Sequence, residues 1–174
     1  MTDRLSAFDK AGVLQVIIES PRGATLKMKF DEAIGLFRVS RPLPAGFTYP
    51  CDWGFVPGTH ASDGDPVDAF VWWDHSSFPG AVIGVRPVAV LRVEQKNRQS
   101  GARERNDRLL TVPNGIPACA HIKNLDDVPE RHRDELAHFF SAVVAFESKE
   151  LKLLGWGDAD EGTALVRESV TTSG

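Results

Sequence analysis

The segment 63–68 (DGDPVD) places three carboxylates within six residues, which is the strongest chemical signal in the chain. Carboxylates this close repel one another, and a bound cation removes that repulsion. Hard divalent cations prefer oxygen ligands, so the segment predicts a site for Mg²⁺, with Mn²⁺ as the other candidate. Gly64 and Pro66 are typical of a turn, and the apolar run 69–73 (AFVWW) predicts a buried strand that holds the turn in place.

Two other interpretations of this segment were weighed. Asp-Gly and Asp-Pro are common turn dipeptides, so the carboxylates could simply be solvated. A calcium-binding EF-hand loop is excluded, because counting from Asp63 its glycine position holds Asp68 and its last ligand position holds Asp74 instead of glutamate.

The bulk composition restricts the class of protein. The chain has 174 residues, 42% of them hydrophobic and 25% charged, which is typical of a globular domain. The net charge of −4 gives no general attraction to nucleic acid or to an anionic membrane. No apolar run is long enough to span a bilayer, and the N-terminus lacks the pattern of a signal peptide, so we predict a cytoplasmic protein. Cys51 and Cys119 are then expected to be free thiols.

The elements that must position the carboxylates follow from hydrophobic periodicity. Apolar runs and strict alternation predict strands at 13–19, 26–30, from 37 onward, 67–73, 82–94 and 109–112. In the alternating strand, Lys27 and Lys29 are expected on one face, with Leu26, Met28 and Phe30 on the other. The polar stretch between Arg92 and Leu109 predicts a long hairpin tip.

The last third of the chain has helical periodicity. One apolar face extends to about residue 150. Gly155 and Gly157 are expected to end this helix, and Asp158 is expected to begin a second one. The residues of that first face are Leu136, Phe139, Phe140, Val143 and Val144. Strands followed by helices predict an α+β, mainly β fold, and no linker is evident, so residues 1–174 are expected to form a single domain.

Several motifs occur in a fixed order. Glu19 is followed eight residues later by Lys27, and Arg41 is followed eight residues later by Tyr49. The segment 49–57 (YPCDWGFVP) precedes the three-aspartate loop, and His-Ile-Lys, Val-Pro, His-Phe-Phe and Gly-Trp motifs follow it. Over roughly residues 13–157, this order resembles the soluble (family I) inorganic pyrophosphatases.

The resemblance implies a fold, an activity and an assembly. It implies a small closed OB-like β-barrel with two C-terminal helices packed on it, assembled as a homo-oligomer that is a hexamer in bacterial members. It implies Mg²⁺-dependent hydrolysis of inorganic diphosphate to orthophosphate, with diphosphate or phosphate as the bound ligand.

The resemblance also implies residue roles. Asp63, Asp65 and Asp68 would ligate metal, and Glu19 would hold an outer metal through water. Asp65 would also help to deprotonate the attacking water. The remaining implied site residues are Lys27 and Arg41, which would bind phosphate, and Tyr49, which would line the site.

The sequence departs from the family pattern around this site. The departures are Lys29 in place of a glutamate, Asn106 and either Glu94 or Gln95 in place of two hairpin aspartates, Arg108 in place of a lysine, and Val143-Val144 in place of a Tyr-Lys pair. Lys29 and Arg108 are predicted to bind substrate, and Asn106 to offer a neutral oxygen to metal. The hairpin and position 29 add four positive charges and position 144 removes one, so the site is about three charges less negative and is expected to hold fewer metals.

Two questions stay open at this level. Asp107 lies one residue from a family ligand position, and in a strand it would point to the opposite face unless a bulge shifts the register. Because of the departures, the alternative function is a catalytically degenerate or repurposed homologue that binds phosphate or a phosphorylated metabolite.

Overall fold

The computed structural model describes residues 5–97, 99–147 and 150–170, which form nine strands and two α-helices. The strands are β1 (Leu14–Ser20), β2 (Leu26–Asp31), β3 (Leu36–Pro42), β4 (Asp52–Phe55), β5 (Asp68–Val71), β6 (Val82–Lys96), β7 (Arg103–Arg105), β8 (Arg108–Pro113) and β9 (Lys152–Gly157). The helices are α1 (Glu130–Val144) and α2 (Ala159–Ser169). No helix in this described part is long and apolar enough to cross a membrane.

Five strands close into a ring. The neighbours around it are β1, β4, β5, β8 and β6, and β6 pairs back to β1. All of these pairs are antiparallel except β5 with β8. β6 can take part in so many pairs because it is 15 residues long, and its second half also carries β9 and β7. The ring and the two C-terminal helices confirm the predicted mainly β, OB-like architecture.

The β2–β3 hairpin is a separate two-stranded sheet. It pairs Lys27 with Arg41 and Lys29 with Arg38, with a register shift directly after Lys27. On the apolar side of β2, Met28 and Phe30 are partly buried, whereas Leu26 is 39% exposed. Every residue of β2 and β3 is partly or fully exposed, so the basic residues of this hairpin are accessible to solvent.

The core has two clusters of apolar side chains. One joins the apolar face of α1 to the ring through residues such as Trp53, Leu91 and Leu110, and the other contains Val166 of α2. All five apolar residues predicted for the face of α1 are buried, as expected. Cys51 and Cys119 are buried free thiols, which confirms that prediction.

The structure corrects three expectations about the secondary structure. α1 ends at Val144 and not near residue 150, and residues 148–149 lie outside the described part. Gly155 and Gly157 belong to strand β9, in which Gly155 adopts φ +92° beside a register shift against β6. Strand β4 was not predicted, because its sequence, DWGF, has no alternation although all four residues are buried.

Candidate active site

The three-aspartate loop connects β4 to β5 through a hydrogen-bonded turn. Gly64 has φ +85°, a conformation that favours glycine, and the Asp65 amide donates to the Asp63 carboxylate at 3.1 Å. The Val67 amide donates to the buried Thr59 hydroxyl at 3.0 Å, which fixes the far side of the turn. Asp68 is the first residue of β5. The loop thus projects its carboxylates from a rigid edge of the ring.

Glu19 joins this loop from the neighbouring strand β1. Its side chain accepts a hydrogen bond from the Phe30 amide at 2.8 Å, and it lines a cleft of about 670 Å³ together with Lys29, Asp65 and Asp68. Burial raises the pKa of Glu19 to about 7, and the negative charge of Asp68 adds to the increase. A cation that enters the cleft would stabilise the ionised form of this carboxyl group.

Asp63 is also destabilised as an anion. Burial raises its pKa, and the charges of Asp65 and Asp68 raise it further. Asn106 donates a side-chain N–H to one carboxylate oxygen of Asp63. Asn106 was predicted to offer a neutral oxygen to a metal, and in this structure its amide nitrogen and not its oxygen faces Asp63.

Two protein cations contact the aspartate loop. The Lys29 ammonium lies 3.8 Å from a carboxylate oxygen of Asp65. The Arg108 Nε lies 3.1 Å from Asp68 Oδ2, and only 4% of Arg108 is exposed. Both residues were singled out from the sequence as substrate-binding, but their pairing with particular aspartates was not predicted.

Tyr49, Arg41 and Lys27 lie near the carboxylates. The Tyr49 ring is buried against Phe139, with 5.2 Å between ring centroids. Burial raises the pKa of Tyr49 to about 12, while the nearby Arg41 charge opposes that increase. Lys27 is close enough for its charge to lower the pKa of Glu19. Tyr49, Lys27 and Arg41 therefore border the same group of carboxylates.

Arg41 has a partner that sequence reasoning missed. Its Nη2 donates to the Val143 carbonyl at 2.9 Å and forms an ion pair with Glu147, just after α1. Glu147 follows no recognisable motif, so spacing in the sequence offers no signal for this contact. The Arg41 guanidinium is thus held at the C-terminal end of the helix, where the helix dipole favours a cation.

The hairpin residues considered as replacements for the missing ligands contact other groups. Asp107 accepts from the Val93 amide at 2.8 Å and forms a two-point ion pair with Arg105. Glu94 lies 3.4 Å from Arg103. Gln95 is buried and donates to Glu104 at 3.3 Å. Asp107 thus contacts its own hairpin, and it lies in the connection between β7 and β8, so the strand alternation considered from the sequence does not apply to it.

The pair Val143 and Val144 is buried in the apolar core beside Phe140. No polar group replaces the Tyr-Lys pair of the family pattern at these two positions. These two side chains belong to the core, and the contact of this segment with a basic site residue is made by the Val143 carbonyl, which accepts from Arg41.

The carboxylates fit a hard divalent ion by their chemistry. Four carboxyl groups are concentrated here, and two of them, Glu19 and Asp63, have raised pKa values because burial disfavours their charge. Among the described residues, however, no three His, Cys, Asp or Glu side chains are already grouped to hold an ion. In this structure amide and cationic groups of the protein satisfy the carboxylates that a metal would engage.

Comparison with known proteins adds an independent finding. A family model described as inorganic pyrophosphatase matches residues 16–173. The chain is 39% identical over 167 residues to an inorganic pyrophosphatase of Nostoc sp., covering 96% of this chain and 95% of that protein. It is 36% identical over 154 residues to an inorganic pyrophosphatase of Methanosarcina mazei, covering 88% of each.

The solved structures agree with the sequence relatives. The crystal structure of inorganic pyrophosphatase from Thermus thermophilus matches with a TM-score of 0.86 and 35% identity, covering 95% of this chain and 94% of that one. The match therefore extends over the ring, the β2–β3 hairpin and both helices.

Proposed function

The chain belongs to the inorganic pyrophosphatase family, and from that premise we propose that it hydrolyses inorganic diphosphate to two orthophosphates. The observation that carries the proposal is the cleft lined by Glu19, Asp65 and Asp68 and bordered by Lys29. Cleavage of a highly charged phosphoanhydride depends mainly on positioning and on electrostatic stabilisation, and this site supplies charged groups of both signs.

Members of this family require metal ions, and Mg²⁺ is the proposed ion here, with Mn²⁺ as a substitute. Asp63, Asp65 and Asp68 would hold it, with Glu19 acting through water and Asn106 offering a neutral oxygen after its amide turns over. When bound, the ion supplies positive charge that lowers the pKa of a water and offsets charge on the phosphate oxygens.

The side chains of the protein have separate proposed roles. Asp65 accepts the proton of the attacking water, because it lines the cleft and its ion pair is with the exposed Lys29, whereas Asp68 is paired with the buried Arg108. Tyr49 borders the reacting groups. Lys27, Lys29, Arg41 and Arg108 bind phosphate oxygens, for which a guanidinium offers two parallel donors and an ammonium offers a point charge.

The test is phosphate release from diphosphate by the purified protein over a range of Mg²⁺ and Mn²⁺ concentrations. Asp65→Asn keeps the size of the side chain but removes the proton acceptor, so turnover should fall by about 100-fold or more. The control is Asp160→Asn, on the exposed side of α2, which should keep wild-type turnover. Absence of turnover in folded wild-type protein at every metal concentration would refute the proposal.

A repurposed homologue that binds phosphate or a phosphorylated metabolite is the second candidate. It is favoured by the buried apolar side chains of Val143 and Val144, where the family pattern has a Tyr-Lys pair, and by Lys29, which pairs with Asp65 where the family pattern has a glutamate. Calorimetry with phosphate in metal-free buffer separates the two: binding without turnover supports the second candidate, whereas turnover supports the first.

The broader setting is proposed from the family and the composition. We propose a single domain over residues 1–174, a cytoplasmic location, no nucleic-acid partner, and a homo-oligomer, with a hexamer as the specific expectation. Sedimentation equilibrium tests the assembly, since a monomer would have a mass of 19.1 kDa.

A further inference from the structure

Each candidate metal-binding carboxylate already has a partner from the chain itself. Asp65 faces Lys29, Asp68 faces Arg108, and Asp63 accepts from Asn106. Glu19 accepts from the Phe30 amide. Two of these four partners carry a full positive charge, so part of the repulsion between the carboxylates is removed before any ion binds.

Arg108 is fixed in position. Its guanidinium lies over the Phe140 ring at 4.9 Å and near the Trp53 ring at 5.8 Å. Its Nη1 donates to the Asn106 carbonyl at 2.6 Å and also to the Asn106 side chain. A guanidinium stays protonated in proteins even when it is buried. Asp68 therefore has a permanent cation at its side that cannot leave without repacking the core.

Lys29 has a different character. Its side chain is 56% exposed at the mouth of the cleft, and its ammonium lies 3.8 Å from Asp65. An exposed pair at this distance is weak, so the ammonium can move between Asp65 and an anion that enters the cleft. In either position, the Lys29 ammonium offsets part of the negative charge of the cleft.

We propose that Lys29 and Arg108 are built-in cations that take over part of the charge neutralisation by divalent ions at this site, so that it binds fewer of these ions than the same site would with a carboxylate at position 29. The inference rests on the proposed function for the identity of the site. According to this inference, Lys29 determines the metal requirement. Lys29 is exposed and can be substituted without disturbing the core, whereas Arg108 is part of the core.

The test measures metal binding directly, without turnover. Equilibrium dialysis with Mn²⁺ gives the number of ions bound and their dissociation constants for the wild type, Lys29→Gln and Lys29→Glu. Lys29→Glu should bind an additional ion, or bind the existing ion roughly tenfold more tightly, because two units of charge change beside Asp65. Lys29→Gln should lie between the wild type and Lys29→Glu.

The matched control is Lys96→Glu. Lys96 is also an exposed lysine paired with a carboxylate, Glu150 at 2.9 Å, but it lies on the β6–β7 hairpin. Its replacement should leave Mn²⁺ binding unchanged. Equal stoichiometry and affinity in the wild type and Lys29→Glu would overturn the inference, as would an equal gain in Lys96→Glu.

The failure of this inference can be distinguished from failure of the proposed function. If diphosphate is not hydrolysed but Lys29→Glu gains an ion, the inference about metal binding stands and the enzymatic proposal fails. If diphosphate is hydrolysed and metal binding does not change in Lys29→Glu, the enzymatic proposal stands and the inference fails. Arg108→Lys is a second variant for the same measurement. It keeps the positive charge, so the number of bound ions should equal that of the wild type.

Discussion

Arg41 is bound to the last turn of α1 through a carbonyl and to a carboxylate just after the helix. The Val143 carbonyl and the Glu147 side chain occupy the Nη2 of its guanidinium. A phosphate group that binds Arg41 must therefore displace or share the contact with Glu147. At the residue scale, substrate affinity depends on this competition as well as on the number of cations in the site.

Replacing Glu147 with glutamine should strengthen substrate binding. Glu147→Gln removes the competing anion, so the KM for diphosphate should fall by roughly threefold to tenfold while kcat changes little. Steady-state kinetics at fixed free Mg²⁺ measures both constants. Glu135→Gln, whose partner Arg131 is exposed on α1, serves as the control and should leave KM unchanged. An unchanged or higher KM in Glu147→Gln would show that the carboxylate does not compete with substrate.

Strands β1 and β4 approach each other so closely that they admit no side chain at one position. A Cβ on Gly54 would lie 2.0 Å from the carbonyl oxygen of Ile17, which is backbone and cannot move aside. This contact lies in the pair of strands that carries Glu19 and leads into the three-aspartate loop. At the element scale, the geometry of the site depends on a glycine that makes no contribution to chemistry.

Gly54→Ala should therefore destabilise the fold. The clash should lower the free energy of unfolding by about 3 kcal/mol or more, as overpacking of a rigid core does. Gly84→Ala is the matched control on another strand of the ring, where the new Cβ meets only a Val13 methyl group at 3.2 Å, and it should cost less than about 1 kcal/mol. Urea denaturation followed by fluorescence compares the two. Equal costs would contradict the close approach of β1 and β4.

The whole molecule pays an electrostatic cost for its acidic cleft in the absence of metal. Glu19 has a pKa raised to about 7 because it is buried, and Asp63 also has a raised pKa. A divalent ion that binds only the folded chain relieves this cost and shifts the folding equilibrium. Stability at the scale of the molecule is therefore linked to occupation of one site.

Added Mg²⁺ should raise the melting temperature. At about 100 times the dissociation constant the increase should be roughly 5–10 °C for a chain of this size. Calorimetry at fixed protein concentration measures the shift, with potassium chloride at equal ionic strength as the control for screening. Asp63→Asn should reduce it. The same shift with potassium chloride alone would contradict a specific ion site.

The sequence by itself determined the elements and the candidate residues. Hydrophobic periodicity is local, so it located most of the strands and the buried face of α1, and the density of carboxylates located the aspartate loop after β4. The order of motifs was sufficient to identify Glu19, Lys27, Arg41 and Tyr49 as a set. Strands without alternation, such as β4 and β9, could not be found in this way, because burial on both faces or a glycine-rich bulge removes the periodic signal.

Only the tertiary structure decided which basic residue pairs with which carboxylate. The pairs Lys29 with Asp65, Arg108 with Asp68 and Arg41 with Glu147 join segments that are far apart in the chain. Their geometry follows from strand register and from how α1 packs on the ring, and a shift of one residue would reverse the facing of each side chain. The contacts of Asp107 were also decided by the fold, since this residue lies between β7 and β8 and contacts Arg105 and the Val93 amide.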